Sequence, residues 1–307
     1  MSIQSATQRL IDEFRARPTL RAGSLITTVF GDAIAPRGGT VWIGSLIRCL
    51  EPFGASERLV RTSVFRLAKD GWLDVDQVGR RSYYRLTSDG ARRFEQATHR
   101  IYGEPRQRWS GGWTLAILAG LDAGQKDTVR KELAWLGFGA LSGNVMVHPS
   151  PDAADLDASL RALGPGLSLI VMDAKTRGDG QDLALRELAQ NSWNLADLDA
   201  RYARFVRRFR PVFSAAQKTR RLAPDTAFQV RTLLIQEYRK ILLRDPLLPS
   251  ELLPADWHGT PAYQLCRNLY RAVYAAADEY LGDAMETANG PLPPPEPRFY
   301  DRFGGLR

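Results

Sequence analysis

The sequence predicts an α+β protein in three parts: a winged helix-turn-helix over 18–103, a ferredoxin-like βαββαβ unit over 104–176 and a helical region over 177–290, with a Pro-rich tail at 291–307. Three observations support this. Residues 42–87 read as helix, short turn, helix and a hairpin with a basic tip. Between residues 112 and 172, short apolar runs alternate with amphipathic helices. From residue 177 onward the apolar spacing is helical, broken at Pro224, Asp245-Pro246 and the loop LPSELLPADWHG.

Lys and Arg outnumber Asp and Glu by 42 to 34, and 44% of residues are hydrophobic. This is a core-forming chain with a basic surface, which favours anionic partners such as nucleic acid or a phosphorylated ligand. The excess is concentrated: residues 18–103 hold thirteen Lys/Arg against eight Asp/Glu. No apolar run is long enough to span a bilayer and no secretory signal is visible, so a cytoplasmic location is expected. Cys49 and Cys266, far apart in helical-looking apolar runs, are expected as buried free thiols.

Residues 1–17 read as a short helix or mobile arm carrying Arg9, Arg15 and Arg17, stopped by Pro18. A helix follows with Leu25, Ile26, Val29 and Phe30 on one face. Ala35-Pro36 and Gly38-Gly39 end it. The next helix is expected over 41–53, with Ile43, Leu46, Ile47 and Leu50 inward, and Gly54-Ala55 makes the turn. Ser56 is a good N-cap for the helix over 57–70, because its hydroxyl can accept a free backbone N–H.

That helix divides cleanly at about 3.6 residues per turn. Leu59, Val60, Val64 and Leu67 share one face; Arg58, Arg61, Thr62, Phe65 and Lys69 share the opposite one, with Arg66 and Glu57 on the flanks. Arg can bond guanine bidentately, and Thr can meet a thymine methyl or a phosphate. Strands over 72–76 and 82–87 then flank a Gly-containing turn, whose Arg80 and Arg81 suit phosphates or the minor groove. The predicted DNA-binding set is therefore Ser56, Arg58, Arg61, Thr62, Arg66, Lys69, Arg80 and Arg81. A closing helix spans 88–102, with His99 on a surface or interface.

The strings LITTVFGDAIAPRGG, ERLVRTSVFRLAKDGWL and VGRRSYYRLT resemble the PaaX family of repressors of phenylacetic-acid degradation operons, and the likeness continues through GGWTLAIL and LRDPLLPSELLPADW. The resemblance covers most of the chain. It implies a homodimer that represses catabolic promoters from a near-palindromic double-stranded operator and is released by phenylacetyl-coenzyme A. No cofactor is expected.

In the middle part, strands near 112–118, 137–141, 144–148 and 167–172 and helices over 123–136 and 152–163 give the order βαββαβ, a split βαβ unit. The family resemblance implies a Cas2-like fold here. Cas2-type nucleases carry a metal-binding Asp just after the first strand, where this chain has Asp122. No second carboxylate or His lies near it in sequence, so Asp122 reads as a helix cap and no metal site is assigned. A metal-dependent nuclease is the alternative function, and an acyl-CoA-processing enzyme is disfavoured because no nucleophile–base arrangement is visible. The stretch 137–143 is glycine-rich but follows a helix, so it reads as a turn.

The helical part begins after a joint at 178–180, with helices over 183–192, 195–217, 225–243 and 260–285. Its ARYARFVRRFRPVF segment interleaves arginines with aromatics, a pattern that suits phosphates and a stacked base. Trp193, Arg201, Tyr202 and Arg204 are the ligand candidates. The tail is expected to lie extended on the surface or on a dimer mate.

Overall fold

The computed structural model describes residues 1–18, 22–104, 109–149, 151–164, 168–177 and 182–306. The joint at 178–180 lies outside the described residues. The compact units do not follow the sequence boundaries. One comprises Met1–Glu104, Ala203–Leu243 and Thr260–Arg307; the other comprises Pro105–Tyr202 and Arg244–Gly259.

In the first unit, helix α1 (Ile3–Arg15) is no mobile arm. It buries Ile3, Leu10, Ile11 and Phe14, Arg15 donates to the Pro52 carbonyl, and Arg17 pairs with Glu237 at 2.6 Å. Helix α2 (Ala22–Val29) runs into a π turn, Phe30–Ile34, that places Asp32 in the core. Strand β1 (Thr40–Trp42) follows, then α3 (Ile43–Leu50) and α4 (Glu57–Lys69). The expected helix thus starts two residues late. Thr-Val-Trp is β-branched and aromatic, and it takes the free edge of the wing instead. Strands β2 (Leu73–Val78) and β3 (Arg81–Leu86) form the hairpin, giving an antiparallel sheet of order β1-β3-β2, and α5 (Ser88–Tyr102) closes the region.

The second unit holds β4 (Gly112–Ile117), α6 (Ala123–Trp135), β5 (Gly139–Ser142), β6 (Val145–His148), α7 (Ala153–Leu163) and β7 (Ile170–Lys175). Their order is the expected βαββαβ, and the sheet runs β5-β6-β4-β7 with every neighbouring pair antiparallel. Ala116, Leu118, Val129, Leu133, Phe138 and Met146 form its core. Residues 139–142 pair as an edge strand, so the glycine-rich stretch is a turn only at its two ends, Gly137 and Gly143. Helix α8 (Asp182–Trp193) packs on β5.

Helix α9 (Leu195–Gln217) begins in the second unit and continues into the first. There α10 (Pro224–Leu242) and α11 (Gly259–Ala284) join the winged region. Helix α10 is buried on nearly all sides, which explains its apolar composition and makes it the spine of this unit. The tail pairs β8 (Glu286–Thr287) with β9 (Gly290–Pro291) and ends in a 3-10 turn, Pro297–Gly304. Met285, Leu292, Phe299 and Phe303 are buried. The tail therefore packs on its own chain, held by backbone bonds such as Glu296 N–H to the Pro36 carbonyl at 2.8 Å. No helix among the described residues is long and apolar enough to cross a membrane.

Candidate nucleic-acid interface

Helix α4 starts where Ser56 accepts the Leu59 N–H at 3.3 Å, and Glu57 sits favourably in its first turn. Val60 and Val64 are fully buried, which fixes the rotation of the helix. Arg58, Arg61, Thr62, Phe65, Arg66 and Lys69 are left exposed, as the apolar spacing predicts. Arg58, Arg66 and Lys69 carry no ion pair among the described residues, whereas Arg61 pairs with Glu57 at 2.8 Å. Thr62 donates to the Arg58 carbonyl at 2.9 Å, a bond it can keep while its methyl faces outward. Phe65 is 67% exposed.

The wing is tighter than the sequence suggests. Val78 pairs with Arg81, so the turn is Gly79-Arg80 alone, and Gly79 takes the left-handed φ of +59° that a two-residue turn needs. Arg80 stands at the tip, exposed and without an ion pair among the described residues. Arg81 is not at the tip. It is the first residue of β3, lies 4.2 Å over the Trp42 ring and pairs with Glu286 at 2.9 Å. Tyr83 and then Glu286 hold its guanidinium still more firmly in the charged form. Arg85 is tied to Asp74 and Asp76. Arg58, Arg66, Lys69 and Arg80 therefore place cations without an ion pair among the described residues along α4 and at the wing tip, where a groove-reading helix and a backbone-touching wing can use them.

Behind this surface lies a charged network that the sequence did not reveal. Asp32 accepts from Tyr102 at 2.6 Å, Arg231 at 2.7 Å, and Tyr270 and Arg302 at 2.9 Å. Arg231 also meets Asp278 at 2.6 Å, as does Arg37 at 2.5 Å. Burial alone would raise the Asp32 pKa, but Arg231 and Arg302 outweigh it and hold the carboxyl below the usual range. Burial and the Asp32 charge lift the Tyr102 hydroxyl well above the ordinary phenol range, so it stays a donor. The network joins the π turn, α5, α10, α11 and the tail. It makes the DNA-facing region and the C-terminal helices one packing unit.

The remaining candidates are occupied differently. Asp122 caps α6 in a reciprocal capping box with Gln125. No cluster of three metal-ligating side chains exists among the described residues. Tyr202 is a core residue: it is 1% exposed, its hydroxyl donates to Asp245 at 2.6 Å, and Trp257 packs against its ring. Trp193 donates to the Gly137 carbonyl at 2.7 Å, and its ring lies where any side chain at Gly139 would go. Arg201 pairs with Asp197 at 2.8 Å, while Arg204 is exposed and belongs to the other unit. Trp193 and Tyr202 are thus packed within their own unit, and Arg201 is ion-paired. Changing Tyr202 to Phe is expected to lower stability by about 1–3 kcal/mol, by removing a buried hydrogen bond to a carboxylate; urea unfolding checks it.

Cys49 and Cys266 are both free and buried, as expected. Burial pushes the Cys49 thiol up to about 11, which leaves it inert as a nucleophile.

Comparison with known proteins agrees with this architecture part by part. The PaaX-like protein family matches residues 21–90, the PaaX protein central Cas2-like domain matches 106–185, and the PaaX-like protein C-terminal domain matches 193–283. The transcriptional repressor PaaX of Escherichia coli (strain K12) is 42% identical over 284 residues, covering 92% of this chain and 90% of that protein. A solved structure, the uncharacterized protein Rv0674 from Mycobacterium tuberculosis, shares the fold with a TM-score of 0.50 at 24% identity, covering 77% of this chain and 89% of that one. With its winged helix, Cas2-like middle and C-terminal helices each matched, the chain belongs to the PaaX family.

Proposed function

We propose that this chain is a DNA-binding transcriptional repressor of an aromatic-acid catabolic operon, released from its operator by an aryl-acyl-coenzyme A such as phenylacetyl-CoA. The observation that carries the reading is the outer face of α4. Arg58, Arg66 and Lys69 stand free beside Arg61 and Thr62, next to a wing tipped by Arg80. The 42% identity to a repressor over nearly the whole chain supports the same activity. Its work is binding, not catalysis. Asp122, the residue on which the nuclease alternative rests, serves as the cap of α6.

A homodimer would set two copies of α4 on half-sites of a near-palindrome, one or more helical turns apart. Release requires the effector to favour the DNA-incompetent state; moving the population from 1:99 to 99:1 takes about 5.5 kcal/mol of differential affinity. A coenzyme A thioester offers phosphate charge at one end and an aromatic acyl group at the other, and both can contribute to that difference. Replacing Arg80 with Ala is expected to weaken binding to all sequences alike and to flatten the salt dependence by about one unit of log–log slope. Binding isotherms across a salt series check it. A changed base preference with an unchanged slope would assign Arg80 to base reading instead.

A further inference from the structure

One carboxylate from the tail sits on two arginines of the winged region. Glu286 places one oxygen 2.9 Å from the Arg81 guanidinium and the other 3.4 Å from that of Arg48. Both guanidiniums also lie over the Trp42 ring, at 4.2 Å and 5.0 Å. The three charged side chains remain accessible: Arg48 is 52% exposed, Arg81 51% and Glu286 38%. Glu286 is delivered there by its backbone, whose N–H donates to the buried Ser45 hydroxyl at 3.1 Å. The short β8–β9 pairing holds the same segment.

Two guanidiniums converging on two oxygens of a single anion is also the arrangement that grips a phosphate. Trp42 gives each cation a second contact, through its ring face, that does not involve the carboxylate. Two positive charges against one negative leave the cluster net positive. Ion pairs this exposed are weakly held, so a DNA backbone can compete for them.

We infer that Arg48, Trp42 and Arg81 form a site for one DNA backbone phosphate, and that Glu286 fills it in the free protein. The inference rests on the DNA-binding reading above and adds to it a site on α3 and β3, distinct from the base-reading face of α4. The tail then acts as a built-in competitor that lowers the affinity for any DNA without altering base preference.

The test is E286Q, which removes the charge and keeps the shape and the backbone bond to Ser45. Operator and unrelated DNA should both bind about 3–10-fold more tightly at low salt, with a slope steeper by up to about one unit. The E286Q/R48A double variant should lose most of that gain. R48A alone should weaken operator and unrelated DNA equally. An E286Q protein with unchanged affinity and slope overturns the site, as does one that binds more weakly, since Glu286 would then be only a strut for the wing. If the wild-type chain binds DNA in the same assay, either result leaves the repressor reading intact. A wild-type chain that binds no DNA overturns that reading, and this site with it.

Discussion

Replacing Asp32 by Ala should lower the unfolding free energy by about 3–5 kcal/mol, the usual consequence of stranding a buried charge by removing its partner. The side chain is 4% exposed and receives four donors from Tyr102, Arg231, Tyr270 and Arg302. Without it, buried Arg302 loses its ion-pair partner, and Arg231 and Arg37 are left with Asp278. The measurement is urea unfolding of the wild type and the variant with a matched slope; a loss below 1 kcal/mol would mean that water or local rearrangement neutralises the site. The same residue sets an acid limit. Its folded pKa lies below its ordinary value, so its contribution is fully present above pH 4 or so and disappears as pH falls through the depressed folded value. Stability of the wild type should therefore decline as pH falls below about 4, and the Asp32→Ala variant should decline less steeply over the same interval.

Replacing Arg58 by Ala should cost about 1–3 kcal/mol of operator affinity and relax base preference at one position per half-site. Arg58 stands exposed on the first turn of α4 with no acidic partner among the described residues, so it meets DNA without first breaking an ion pair. Arg61 differs, because its bond to Glu57 must be given up or shared. Arg61→Ala should therefore cost less than Arg58→Ala, and Glu57→Ala should raise affinity slightly. Isotherms on the operator and on single-base variants of it separate the contributions. Equal losses with unchanged base preference in every α4 variant would show that another face of the helix reads the groove.

Much of this was legible in the sequence, and the pattern of successes has a physical cause. The outer face of α4 follows from Val60 and Val64, because two buried side chains one turn apart fix the rotation of a helix. The βαββαβ order and the helices of the C-terminal part follow from local periodicity in the same way. What escaped was long-range. Asp32 and Arg231 are 199 residues apart, and Arg81 and Glu286 are 205 apart; no local spacing signals either pairing. Tyr202 misled because an aromatic among arginines fits a buried helix face as readily as a ligand pocket. The tail misled because its prolines suggest extension, while Phe299 and Phe303 anchor it to the core. Strand β1 was hidden because three residues cannot establish a period against the helix that follows.

On the proposed function, the winged region reads one DNA sequence and an acyl-CoA switches it off. The most direct measurement is a mobility shift on the DNA upstream of the chain's own gene, with phenylacetyl-CoA and with free coenzyme A in parallel lanes. A complex that survives excess unrelated DNA, disperses with phenylacetyl-CoA and persists with free coenzyme A is the predicted result. A complex lost equally to unrelated DNA, or left unchanged by the thioester, would contradict it.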